Sequence, residues 1–106
     1  MKLNAKGIEL YNKWETIYYA ELDKLRKKYN DPDYFEGWCI IDNFEHIKTL
    51  EDEVGLFVLG YENDLPWMFE DWKNDYGKND EFFRDADGNS YTLEDFIKAC
   101  MPYLEN

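Results

Sequence analysis

A stripe of apolar side chains between residues 10 and 29 constrains the fold of this chain more than any other feature. Its members recur at steps of three and four residues, which places them on one face of an α-helix. They are Leu10, Trp14, Ile17, Tyr18, Leu22, Leu25 and Tyr29. The sequence Asn30-Asp31-Pro32 ends the pattern. The chain must therefore bury one side of a long amphipathic helix, and later segments must supply the surface that covers it.

Three later segments carry helix signals. Residues 49–52 and 92–95 both read Thr-Leu-Glu-Asp, in which an acid three residues after a threonine indicates a capping box. Helical spacing follows over 49–61, although residues 54–59 also fit a strand, and again after residue 92, where Pro102 is expected to shorten the helix. Asp64 and Pro66 predict the N-cap and first turn of a helix that ends at Gly77.

Residues 81–92 predict a β-hairpin, with Asp87-Gly88 as its two-residue turn. Residues 38–41 fit either a strand or a buried loop. We therefore expect one α+β domain over residues 1–106, mainly helical, with a long N-terminal amphipathic helix, two or three shorter helices and a small antiparallel hairpin near 82–91. The predicted core consists of Trp14, Ile17, Leu22, Leu25, Ile40, Val54, Phe57, Trp72, Phe83, Phe96, Ile97 and Cys100.

The chain is strongly acidic, and its charge is unevenly distributed. It has 12 Lys and Arg against 24 Asp and Glu, a formal net charge of −12. Residues 1–30 carry a net charge of +3, and residues 31–106 carry 5 basic and 20 acidic side chains, a net charge of −15. Such a charge repels phosphates, so we expect no direct binding to nucleic acid or to an anionic membrane. The expected partner is a basic protein.

The densest acidic stretch, residues 62–95, holds eleven acidic and three basic residues interleaved with large aromatic side chains. Asp64, Asp71 and Asp75 are expected on one side of the helix that starts at Leu65, with Trp67 off the apolar stripe and partly exposed beside them. A solvated acidic face over an aromatic core stays open as the alternative. The predicted partner-binding residues are Asp64, Trp67, Glu70, Asp71, Asp75, Asp80, Glu81, Asp85 and Asp87.

Catalytic and metal chemistry find little support in the sequence. Two cysteines and one histidine exclude a His-based metal centre and most zinc modules. Cys39 and Cys100 stand among apolar residues, which keep a thiol protonated. Either thiol would therefore be a poor nucleophile, even with His46 as its base. Gly88 fits the sixth position of a calcium loop, but the first position is then Phe83, which cannot ligate. We expect no enzyme, no cofactor and no metal.

The sequence lacks the apolar run of a signal peptide or a membrane span, so we expect a soluble, cytoplasmic protein. The leading hypothesis is a small inhibitor whose acids stand in for phosphates against a nucleic-acid-binding enzyme. A phage or mobile-element origin, with an anti-restriction or anti-CRISPR role, fits its size and charge. Three alternatives stay open: an immunity protein that blocks one toxin through Trp67 or Trp38, a small subunit of a larger complex, and a homodimer that buries surplus aromatics.

Overall fold

The computed structural model describes residues 2–34, 46–61 and 64–105. Within these ranges it has four α-helices and one two-stranded antiparallel sheet, so the predicted α+β, mainly helical fold is confirmed. In chain order the elements are α1 (Ala5–Lys28), α2 (Leu50–Tyr61), α3 (Leu65–Lys73), β1 (Glu81–Arg84), β2 (Ser90–Thr92), α4 (Leu93–Cys100) and a 3₁₀ turn (Met101–Tyr103). The predictions for residues 38–41, with Trp38, Cys39 and Ile40, lie outside the described residues.

Helix α1 contains every member of the apolar stripe except Tyr29, and it begins five residues before Leu10. Asn4 caps its start, because Asn4 Oδ1 accepts a hydrogen bond of 2.9 Å from the Gly7 backbone N–H. The last turn carries three basic side chains, which the helix dipole favours at this end. Tyr29 follows the helix and is exposed, so its predicted place at the end of the buried stripe is wrong. Among the described residues, no helix combines the length and apolar character that crossing a bilayer requires.

Helix α2 lies at the centre of the fold and contacts α1, α3 and α4. It is a helix and not the alternative strand, and its capping box is formed: Asp52 Oδ2 accepts from the Thr49 N–H at 3.0 Å, and Thr49 Oγ1 accepts from the Asp52 N–H at 3.1 Å. Its buried side chains lie on more than one face of the helix, and they are Val54, Leu56, Val58 and Leu59. A helix that other helices surround buries several faces, whereas the sequence pattern implied one.

Helices α1 and α2 pack together where the ring of Trp14 meets Gly55. Trp14 is 1% exposed, and its indole ring occupies the space in which a side chain at residue 55 would lie. Among the described residues, no acceptor bonds the Trp14 Nε1–H. The absence of a Cβ at Gly55 therefore lets a large ring sit against the α2 backbone.

An aromatic cluster fills the space between α2, α3, the hairpin and α4. The ring centroids of Phe82 and Phe96 are 4.9 Å apart, and those of Phe57 and Trp72 are 5.1 Å apart in an edge-to-face arrangement. Of the predicted core, Trp14, Leu22, Val54, Phe96 and Cys100 are fully buried. The half-buried members, which pack around the buried cluster, are Ile17, Leu25, Phe57, Trp72, Phe83 and Ile97.

The C-terminal segment returns to the start of α1. The capping box of α4 is formed by Thr92 and Asp95, as predicted. Pro102 lies in the 3₁₀ turn, so the helix stops at Cys100. Leu104 forms an antiparallel bridge with Leu3 and is buried.

Replacing Gly55 by alanine tests the packing of α1 on α2. Alanine has a helix propensity about 1 kcal/mol better than glycine, so in an unobstructed helix this change would stabilise the protein. Here the new methyl group would overlap the indole of Trp14. We expect the free energy of unfolding, measured by urea denaturation, to fall by about 1–3 kcal/mol.

The companion variant is Trp14→Phe, which removes the indole nitrogen that the new methyl group would meet. We expect Gly55→Ala to cost less in that background than in the native chain, so the two effects are not additive. A native chain that becomes more stable with alanine at residue 55 would contradict this packing.

Candidate partner-binding face

Helix α3 is short and strongly two-sided. Leu65 and Phe69 are buried, and Trp72 packs its ring against Phe57 and Phe82. Trp67 points the opposite way and is 67% exposed, the largest exposed fraction among the large apolar side chains of the described residues. The prediction that Trp67 lies outside the apolar stripe is confirmed. Its burial would need a second surface.

Three acidic side chains flank Trp67. Successive residues of an α-helix are rotated by about 100°, so Asp64, Glu70 and Asp71 fall within an arc of about 120° centred on Trp67. All three are exposed. We call this group of four residues, Asp64, Trp67, Glu70 and Asp71, the Trp67 face. It combines one large ring with three carboxylates within about two turns of helix.

The carboxylates of the Trp67 face differ in their internal partners. Glu70 Oε1 accepts a hydrogen bond of 3.0 Å from Lys73 Nζ, one turn later on the helix. Asp64 occupies the predicted N-cap position of α3, but its side chain makes no capping hydrogen bond. Within residues 2–34, 46–61 and 64–105, no donor bonds the carboxylate of Asp64 or Asp71. These two carboxylates are therefore exposed and open to a donor from another molecule.

Asp75 does not continue the row of acids along α3, which corrects the sequence prediction. The helix ends at Lys73 and not near Gly77. Its last turn tightens, because the Asn74 N–H donates to the Asp71 carbonyl at 3.1 Å and the Asp75 N–H donates to the Trp72 carbonyl at 3.0 Å, both across three residues. Asp75 is exposed in the turn that follows, beside the Trp67 face but outside it.

Asp80 and Glu81 form local hydrogen bonds. Asp80 Oδ2 accepts from the Gly77 N–H at 2.7 Å, and the Asp80 N–H donates to the Gly77 carbonyl at 3.1 Å. This reciprocal pair closes the turn over residues 77–80. Glu81 Oε1 accepts from Arg84 Nε at 2.8 Å. Hydrogen bonding from Ser90, and then from Arg84, lowers the pKa of Glu81. Both acids stabilise the chain around them.

The hairpin turn is a five-residue loop, 85–89, and not the predicted two-residue turn. Strand pairing places Arg84 opposite Ser90, and Gly88 adopts a φ of +88°. The loop closes around Asp85, whose Oδ1 accepts from the backbone N–H groups of Asp87 at 3.0 Å and Asn89 at 2.8 Å. An aspartate that bonds the N–H two residues later forms an Asx turn, which competes with a tight turn at Asp87-Gly88.

The second oxygen of Asp85 is also engaged. Asp85 Oδ2 accepts from Asn89 Nδ2 and from the Tyr91 hydroxyl, each at 3.1 Å. Partial desolvation acts to raise the pKa of Asp85, but these hydrogen bonds outweigh it and hold the pKa below its ordinary value. Asp85 is therefore a structural residue of the loop, and it is a poor substitute for an exposed phosphate.

The nine predicted binding residues thus fall into two groups. Glu70, Asp80, Glu81 and Asp85 bond neighbours in the chain. The residues whose exposed side chains are left for a partner are Asp64, Trp67, Asp71, Asp75 and Asp87. An aspartate at the start of a turn was a sequence signal for the internal role of Asp85, because its side chain can accept from the backbone N–H two residues later in an Asx turn.

Other reactive groups lie away from this face. Cys100 is fully buried, and burial raises the pKa of its thiol to about 12, in agreement with the expectation that it stays protonated. His46 Nε2 lies 3.4 Å from Glu21 Oε2. In the part of the chain that the structure describes, His, Cys, Asp and Glu side chains form no group of three arranged to hold a metal ion.

A matched pair of substitutions separates the two groups of acids. Asp85→Asn and Asp87→Asn remove the same charge two residues apart. We expect Asp85→Asn to lower the thermal unfolding temperature, because asparagine replaces one acceptor oxygen of the loop by an N–H₂ donor. Asp87→Asn should leave the unfolding temperature close to that of the native chain. Differential scanning calorimetry at neutral pH measures both.

The same pair has a distinct pH dependence. Because the folded-state pKa of Asp85 is lowered, its contribution to stability is complete above the ordinary value of 3.8 and is lost as the pH falls through the folded-state pKa. The stability difference between the native chain and Asp85→Asn should therefore shrink below pH 3.8. A difference that is unchanged by acid would contradict the role assigned to the ionised carboxylate.

Comparisons with protein families, with curated proteins and with solved structures find no match to this chain. What the Trp67 face does is therefore argued from its own chemistry.

Proposed function

We propose that this chain is a small acidic inhibitor that binds a basic surface of another protein through the Trp67 face. The observation that carries the proposal is one large exposed ring, Trp67, set among the unpartnered carboxylates of Asp64 and Asp71. An isolated domain gains nothing in stability from exposing a tryptophan to water. A partner that covers the ring removes that apolar area from solvent.

The ring and the carboxylates have complementary roles in such a complex. Tryptophan is among the side chains that dominate binding energy when a partner desolvates them. Carboxylates around it attract a basic surface over distance and accelerate association, in a manner that salt weakens. Asp75 and Asp87, which are also exposed and unpartnered among the described residues, extend the negative surface toward the hairpin.

The partner class that fits this face best is a nucleic-acid-binding protein. Its site presents positive charge to phosphates, and acids held on a rigid helix present negative charge without a nucleic acid. The proposal gives this chain no catalytic role and needs no cofactor. It places the chain in the cytoplasm, where an inhibitor of restriction or CRISPR enzymes meets its target.

A second candidate is an immunity protein that neutralises one toxin. The high exposure of Trp67 favours it, because a single dominant anchor suits a dedicated partner better than a diffuse charged surface does. The two candidates share a binding face and differ in which of its residues carry the affinity.

The first experiment captures the partner from a bacterial lysate on the immobilised chain, elutes it with stepped salt and identifies it by mass spectrometry. The captured protein is then purified and its Kd for the native chain is measured with and without competing DNA or RNA. The inhibitor proposal predicts a basic partner that nucleic acid displaces. A partner that is retained at high salt and ignores nucleic acid would favour the immunity candidate.

Substitutions on α3 and in the turn that follows it distinguish the inhibitor from the immunity protein. In a mimic, Asp71→Asn combined with Asp75→Asn weakens binding and makes the Kd less sensitive to salt, because fewer ion pairs form. In an immunity protein, Trp67→Ala costs more than the double change, about 30-fold or more in Kd for a dominant anchor. Isothermal titration calorimetry over a series of salt concentrations measures each effect.

Matched controls lie elsewhere on the chain. Glu9→Gln with Glu105→Gln removes two exposed charges outside α3 and the hairpin, and Tyr19→Ala removes an exposed ring from α1. Neither control should change the Kd beyond the general loss of negative charge. If the controls weaken binding as much as the substitutions on α3 and its following turn, the Trp67 face is not the binding site.

A further inference from the structure

A cleft of about 430 Å³ lies between the C-terminal end of α3 and helix α4. One wall is formed by Lys73, the last residue of α3, and by the turn that follows it, with Tyr76, Gly77 and Lys78. The other wall is α4, on which residues four apart lie side by side. It contributes the apolar pair Leu93 and Ile97 and, next to it, the charged pair Glu94 and Lys98. The cleft has the volume of a small-molecule site.

The charge of the cleft is opposite to that of its surroundings. Three lysines line it, and Glu94 is its one acid, which gives the lining a net charge of +2. Residues 62–95, which supply most of the lining, carry a net charge of −8, and residues 31–106 hold only five basic side chains in total. Three of these five basic side chains line the same cleft. Solubility alone would not require basic side chains to gather at one place.

The three lysines are not equally engaged. Lys73 Nζ bonds Glu70 Oε1 at 3.0 Å, and Lys98 Nζ lies 3.4 Å from Glu94 Oε1. Within the described ranges, the ammonium group of Lys78 makes no hydrogen bond or ion pair. The bonds between Gly77 and Asp80 close the turn that carries Lys78 and so fix its backbone at the rim. One cation is thus available to a ligand without breaking an internal pair.

The interior of the cleft is apolar. Leu93 is buried at its base, and Ile97 is half-buried beside it. The ring of Tyr76 packs edge-to-face on Phe82, with centroids 5.1 Å apart, so it forms a supported side of the cleft. A flat apolar body that contacts Leu93, Ile97 and the Tyr76 ring would leave its polar end at the lysine rim.

We infer that this cleft binds a small aromatic phosphate monoester, with its ring on the apolar interior and its phosphate at Lys78. A phosphate monoester is an anion at neutral pH, and Lys78 offers it a cation that pairs with no acid among the described residues. Lysine ammonium groups bind phosphate as point charges. The site shares no residue with the Trp67 face, so it is independent of the proposed inhibitor function, although Lys73 of the cleft pairs with Glu70 of that face.

The test is a titration of the ¹⁵N-labelled full chain with phenyl phosphate, followed by amide chemical shifts at about pH 7.5, where the phosphate is mostly a dianion. We expect saturable shifts centred on the amides of Gly77, Lys78, Leu93 and Ile97. Inorganic phosphate lacks the ring and benzyl alcohol lacks the charge, so each should bind more weakly than phenyl phosphate. Shifts that stay linear with concentration, or that scatter over the surface, would overturn the proposal.

The decisive variant is Lys78→Glu, which reverses the charge at an exposed position and leaves the core unchanged. We expect it to raise the Kd for phenyl phosphate by about five- to ten-fold. Lys48→Glu makes the same charge change at an exposed residue outside the cleft and should bind phenyl phosphate as the native chain does. The amide spectra of both variants report whether the fold is intact. Equal Kd values for the two variants would refute the assignment.

Discussion

The contact of the Trp14 ring with the α2 backbone at Gly55 sets the arrangement of the rest of the molecule. It brings α2 close to α1 on one side, and α3 and α4 contact α2 as well. Since α2 is then surrounded, α3 must direct Leu65 and Phe69 inward and has only its opposite side left for solvent. The exposure of Trp67 follows from this packing, because the core is already filled by Phe57, Trp72, Phe82 and Phe96.

The structure divides the acidic residues by what their oxygens bond. A carboxylate that accepts backbone N–H groups, as Asp85 and Asp80 do, stabilises a turn and offers fewer free lone pairs to a partner. A carboxylate without a neighbouring donor keeps its charge in solvent, where it acts over distance. The number of acids in a dense acidic stretch is therefore larger than the number available to a partner. Here the acids that bond the hairpin loop and the 77–80 turn are the difference.

Two surfaces of opposite character lie side by side on α3. The Trp67 face carries an exposed ring and negative charge, and the cleft beside α4 carries an apolar interior and lysines. The Glu70–Lys73 pair stands at their border, one turn apart on the same helix. This separation of charge within nine residues depends on the 3.6-residue period, which turns Lys73 away from Asp71 and toward α4.

The sequence by itself determined the features that depend on near neighbours in the chain: the long helix α1, the two Thr-Leu-Glu-Asp capping boxes, the presence of a hairpin and the place of Trp67 outside the apolar stripe of α3. It left residues 54–59 open between helix and strand. Helical period and capping are local, so residues 3 to 4 positions apart suffice to predict them. Tertiary structure alone decided that α2 is buried on several faces, that α3 ends at Lys73 so that Asp75 leaves the row of acids, that Asp85 closes a five-residue loop, and that three lysines meet at one cleft. These features depend on contacts between segments far apart in the chain, or on competition between hydrogen bonds of similar strength, and neither is encoded in a periodic pattern.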